Sequence, residues 1–101
     1  MKKAEQEEIN GACEEFYELS MKEFKYNLPA KQLRSCNAWI YESENNLYLR
    51  SYNTIVAIYL KPLNVVIDVL RMVYGYTATS AQHISKFIND YCKTATRYTA
   101  R

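Results

Sequence analysis

At 101 residues, 49% of them hydrophobic, the chain can bury one modest core but not two, which excludes a multidomain reading. A net charge of +2 is too small to specify a polyanionic partner by itself, and no run approaches the roughly 18 consecutive apolar residues of a membrane span. Met1-Lys2-Lys3 leads into glutamates rather than the apolar segment of a secretory signal, so a soluble, cytoplasmic protein with no membrane partner is expected.

Residues 1–23 carry three lysines and seven glutamates, a balance of −4 that leaves +6 for the remainder. In this stretch Ile9, Cys13, Phe16, Ser20 and Phe24 recur at spacings of four and three, which predicts an acidic amphipathic helix over 1–28. Glu7, Glu8, Glu14 and Glu15 fall on its opposite face. Pro29 disfavours helical geometry at Leu28 and ends the helix there.

After a polar connection over 31–35 the period changes to two. Trp39 and Tyr41 share one face, and Ala38 and Ile40 the other. Ser43-Glu44-Asn45-Asn46 is turn chemistry, and alternation resumes over 47–50, so the pair reads as a hairpin. The β-branched run 54–60 and the run 65–72, interrupted by Lys61-Pro62-Leu63-Asn64, read as a second hairpin. A four-stranded antiparallel sheet over 36–73 follows.

Thr79 and Gln82 stand three apart before Ile84, Phe87, Ile88 and Tyr91, the capping-box arrangement of a helix over 79–92. Residues 93–101 lack periodic apolar positions and are expected to form a flexible tail. The whole predicts a single α+β domain of two layers, with the long N-terminal helix and the C-terminal helix on one sheet face. Phe16, Phe24, Ile55 or Val56, Ile84 and Ile88 would then meet in one core.

Candidate chemistry is sparse. His83 is the sole histidine; near a helix N-terminus it is disfavoured as imidazolium, but a base needs a nucleophile or metal beside it and no such spacing is present, so a structural or partner-contacting role is favoured. Tyr74, Tyr76, Thr77, Thr79 and Ser80 put hydroxyls at that helix start, where an anion could bind. Ordinary capping accounts for them better, since no glycine-rich cradle with a following lysine is present. Cys13, Cys36 and Cys92 form no metal-ligand spacing and read as reduced thiols. No catalytic residue, metal or cofactor is assigned.

Ten tyrosines are many for this length. Tyr48, Tyr52 and Tyr59, with Trp39 and Tyr41, lie on predicted strands beside Arg50 and could stack bases while arginine neutralises phosphate. Core or protein-interface use is favoured, because the body is only mildly basic. The acidic helix face reads either as solvated surface or as an acidic surface that competes, through electrostatic complementarity, for a basic, nucleic-acid-binding groove on another protein.

Leu49-Arg50-Ser51-Tyr52-Asn53-Thr54-Ile55-Val56-Ala57, followed by Tyr76-Thr77-Ala78-Thr79-Ser80-Ala81-Gln82-His83-Ile84-Ser85-Lys86-Phe87, resembles a small uncharacterised domain family of phages and mobile elements of Gram-positive bacteria. Its members share an RSYxTxVA strand and a TTxxHIxxF helix start; here Thr-Ala-Thr-Ser stands where a tighter threonine pair is expected. The resemblance spans residues 47 to 89 and implies a bacterial host cell and the company of small inhibitors of host defence, including anti-CRISPR proteins. The expected function is therefore non-enzymatic: binding and inhibition of a host defence protein, with a CRISPR effector nuclease the leading target class. The alternative is a nucleic-acid-binding accessory module using the tyrosine-rich sheet face, Arg50, Arg71 and the basic tail. Partner-contact candidates are Glu7, Glu8, Glu14, Glu15, Tyr48, Arg50, Tyr52, Tyr76 and His83, and self-association is left open.

Overall fold

The computed structural model describes residues 3–24, 27–75 and 77–101. In chain order these form α1 (Lys3–Glu23), β1 (Ala30–Gln32), β2 (Ala38–Glu42), β3 (Asn46–Ser51) and β4 (Thr54–Leu60). A 3-10 turn (Lys61–Leu63), β5 (Val65–Asp68), α2 (Leu70–Val73), α3 (Ala78–Tyr91) and β6 (Thr96–Thr99) complete the chain. The strands make one six-stranded sheet in the order β1-β2-β3-β4-β5-β6. Neighbours from β1 to β5 run antiparallel, and β6 lies parallel to β5. Among the described residues no helix is long and apolar enough to cross a membrane.

The expected four-stranded antiparallel sheet is thus corrected to a mixed sheet of six. The connection at 31–35 contains part of β1, whose three residues are all exposed. An edge strand with no buried side chain leaves no alternation to detect, and it is held by main-chain pairing such as Lys31 with Ile40. The expected flexible tail over 93–101 contains β6, in register with β5 from Val65–Thr96 to Asp68–Thr99. Its end is tied to α1: the Asn10 side chain accepts from the Arg101 amide at 2.9 Å and donates to the Arg101 carbonyl at 3.0 Å. Gln6 Nε2 donates to the Thr99 carbonyl at 3.0 Å.

The layering is also corrected. Cys13 of α1 shares a core with Tyr48, Ile55, Ile58 and Ile67, against which Phe16 and Phe24 pack. Ile84 and Phe87 of α3 share a second core with Leu47, Leu49, Val56 and Val66, and Ile88 packs there. The helices therefore cover opposite faces, and the residues expected in one core divide between two. Physically, β3 and β4 are apolar on both sides, so each face needs a cover.

A bulge adjusts β4 to this double burial. Arg50 pairs with Ile55 and Leu49 with Ala57, leaving Val56 without a ladder partner. Val56 and Ala57 consequently both enter the α3 core. The freed Val56 carbonyl accepts from the Val69 amide at 2.9 Å, just where β5 ends. The run 65–72 does not continue as strand, because Asp68 Oδ1 accepts from the Leu70 amide at 3.1 Å and turns the chain into α2. At the other helix start, Thr77 rather than Thr79 is the N-cap, its Oγ1 accepting from the Ser80 amide at 3.2 Å.

Candidate functional site

Among the described residues the chemical options reduce to three side-chain groups, and the fold separates them. The first lies under α3. Ser51 ends β3 and faces Ser80 and His83 on the first turns of α3; its Oγ is 2.8 Å from His83 Nδ1 and 2.9 Å from Ser80 Oγ. All three residues are buried. A neutral imidazole with a bare Nδ1 completes the chain in one sense, Ser80 donating to Ser51 and Ser51 to His83.

Burial, and secondarily the Lys86 charge, holds the His83 imidazole below its ordinary value of 6.5. A serine beside a neutral histidine is the start of a nucleophile and base, but Ser51 is 3% exposed and offers no approach to a substrate. The cluster instead ties α3 to the sheet. Because the folded imidazole binds its proton less readily than the unfolded one, stability should be full above about pH 6.5 and decline as pH falls below it. Urea unfolding between about pH 8 and pH 5 should show that decline in the wild type and a flatter profile in His83→Gln. Identical slopes in the two proteins would assign the pH dependence to another group.

The tyrosine and arginine candidates do not form one patch. Tyr48 is fully buried. Its hydroxyl donates to the Ser20 carbonyl at 2.8 Å and accepts from Asn46 Nδ2 at 3.0 Å, while its ring meets Phe24 edge-on at 4.9 Å. It anchors the end of α1 to the sheet. Arg50 lies on the same sheet side, its guanidinium 5.4 Å from the Tyr41 ring centroid, and its buried Nε has no hydrogen-bond partner among the described residues. Tyr52 belongs to the opposite side: it occupies the β3-β4 turn at φ 56° and its ring lies 5.8 Å from that of His83. Tyr76 lies outside the described residues.

The second group is the outer arc of α1. Glu7, Glu8, Glu14, Glu15 and Glu18 are all exposed, opposite the stripe of Cys13, Phe16 and Ser20 that faces the sheet. None of them forms an ion pair among the described residues. The buried thiols Cys13 and Cys92 take no part in a site. Cys13 is pushed up to about 11 by burial and then by the Asp68 charge, and Cys92 to about 11 by burial, so both stay protonated and inert.

The third group was partly missed in the sequence because it depends on β6. A cavity of about 410 Å³ is lined by Asp68, Arg71, Arg97, Thr99 and Arg101. Arg97 Nη2 donates to Asp68 Oδ2 at 2.7 Å and its Nε donates to Thr99 Oγ1 at 3.2 Å. Arg71 and the basic end of the chain are visible as charges in the sequence; only the parallel pairing of β5 with β6 brings Arg97 and Arg101 beside Asp68 and Arg71.

With this geometry in view, the chain matches the model of a family of unknown function, DUF8033, over residues 21–100. The chain belongs to that family. No curated protein and no solved structure matches it. The DUF8033 match takes in the whole sheet, α3 and the lining of the arginine-lined cavity apart from Arg101, and of α1 it includes only the last three residues. Glu7, Glu8, Glu14 and Glu15 therefore lie on a part of the chain that the DUF8033 model does not cover.

Proposed function

We propose that this chain is a non-enzymatic binding protein that docks the acidic outer face of α1 onto a basic, nucleic-acid-binding surface of another protein and thereby blocks it. The proposed target class is a host defence nuclease, in particular a CRISPR effector. The supporting observation is the exposed row Glu7, Glu8, Glu14, Glu15 and Glu18, which has no countercharge among the described residues. Glu14 and Glu18 stand four apart and Glu15 and Glu18 three apart, spacings at which like charges cost a helix about 0.2–0.5 kcal/mol per pair. A partner's lysines and arginines relieve that repulsion, and opposite potentials speed the encounter. The apolar face of α1 is packed on the sheet, so the charged face is presented without further ordering of the helix.

Tyr48 is buried and Tyr52 turns to the other side of the sheet, which leaves the nucleic-acid-binding alternative with less support. Replacing Glu7, Glu8, Glu14 and Glu15 together by Gln should leave the thermal midpoint unchanged or slightly raised. The same protein should lose inhibition of DNA cleavage by a purified CRISPR effector nuclease that the wild type inhibits, and wild-type inhibition should weaken with added salt. A glutamine variant that inhibits as well as the wild type, or a wild type that inhibits no effector tested, would refute the proposal.

A further inference from the structure

We propose that the cavity between α2, β6 and Arg101 binds a small molecule bearing phosphate groups. Three of the chain's five arginines, Arg71, Arg97 and Arg101, line it. They come from α2, from β6 and from the residue that closes on α1, so no local run of basic sequence explains their meeting. Against them, among the described lining residues, stands the single carboxylate side chain of Asp68, so the charge balance of the lining is positive.

The cavity is ordered before any ligand arrives. The Asp68 side chain, 8% exposed, accepts from the Leu70 amide with one oxygen and from Arg97 with the other, so its acceptor capacity is turned inward. Arg97 is held on two donors, by Asp68 and Thr99, which fixes the plane of the guanidinium and leaves its remaining N–H groups for a ligand. Thr99 Oγ1 receives a hydrogen bond from Arg97, leaving its own hydroxyl proton free to donate. The backbone of Arg101 is clamped at both N–H and C=O by Asn10. A planar fork fixed in advance, as at Arg97, suits tetrahedral oxyanions, which accept paired N–H groups. A volume of about 410 Å³ exceeds one phosphate and falls in the range of small-molecule sites, so a diphosphate or a phosphate with an attached body fits better than a lone ion.

The site is separate from the acidic face of α1, and its test does not depend on that face. Calorimetric titration of the full chain with inorganic phosphate and with pyrophosphate, at an ionic strength held constant with chloride, should give saturable binding. Pyrophosphate should bind about tenfold tighter than phosphate. The double variant Arg71→Gln/Arg101→Gln, whose two positions are exposed, should lose about tenfold or more in affinity for pyrophosphate while keeping its thermal midpoint. Lys93→Gln, an exposed lysine that does not line the cavity, and the four-glutamine variant of α1 should bind as the wild type does. Absence of saturable binding, equal affinity in the double variant, or binding of a single-stranded oligonucleotide without binding of pyrophosphate would overturn the proposal.

Discussion

Truncating Phe87 to alanine should destabilise the domain by about 3–5 kcal/mol, more than other single truncations on α3. Phe87 is fully buried and lies in the core shared by Leu47, Leu49, Val56 and Val66, with the Tyr91 ring 6.0 Å away. The whole of α3 rests on this stripe, so the cavity left by the ring cannot be filled without moving the helix. His83→Ala should cost less, about 1–3 kcal/mol, through the Ser51 hydroxyl left without its partner. Denaturant unfolding of both variants gives the comparison; a loss under about 1 kcal/mol for Phe87→Ala would mean that α3 presents another face to the sheet.

Removing residues 96–101 should have an effect of similar or greater size, on the order of 3–5 kcal/mol, where a flexible tail would be removed at no cost. Deletion takes away four paired positions against β5 and the buried Ala100. It also leaves the buried Asp68 carboxylate without Arg97, and strips Asn10 and Gln6 of α1 of their main-chain partners. The far edge of β5 becomes an open edge beside Val65 and Ile67, which invites self-association as well as unfolding. A truncated chain that melts at the wild-type temperature and stays monomeric would contradict the assignment of β6.

What the sequence made legible is what periodicity encodes. The stripe of Ile9, Cys13 and Phe16 marks α1, the alternation of Ala38 and Ile40 with Trp39 and Tyr41 marks β2, and the β-branched run marks β4 at the bounds Thr54–Leu60. The double-sided sheet was also present as a signal, since Thr54–Leu60 and the run Leu47-Tyr48-Leu49 are continuous rather than alternating in apolarity. Read as alternating strands, they suggested one covered face instead of two. β1 and β6 carry no such mark. Their side chains are exposed or half-buried, and what holds them is backbone pairing, of β1 with the neighbouring β2 and of β6 with β5, a strand distant in sequence. Asp68 shows the same limit, because its pairing with Arg97 depends on β6 being in place.

For the site, the acidic row of α1 was readable from helical spacing alone. The burial of Tyr48 and the turning of Tyr52 to the other sheet side were not, because facing depends on register and on a turn with positive φ at Tyr52. His83 was placed correctly near the start of a helix. Its contacts with Ser51 and Ser80 required the pairing of α3 with the end of β3.

The most direct measurement of the central claim is a hydrogen-exchange and cross-saturation footprint of the chain mixed with a CRISPR effector nuclease, the proposed target class. The perturbed residues are expected to run along the outer arc of α1 through Glu7, Glu8, Glu14, Glu15 and Glu18, with the sheet and α3 unchanged. A footprint confined to α3, to the β3-β4 turn at Tyr52 or to the arginine-lined cavity, with α1 exchanging as in the free chain, would contradict it.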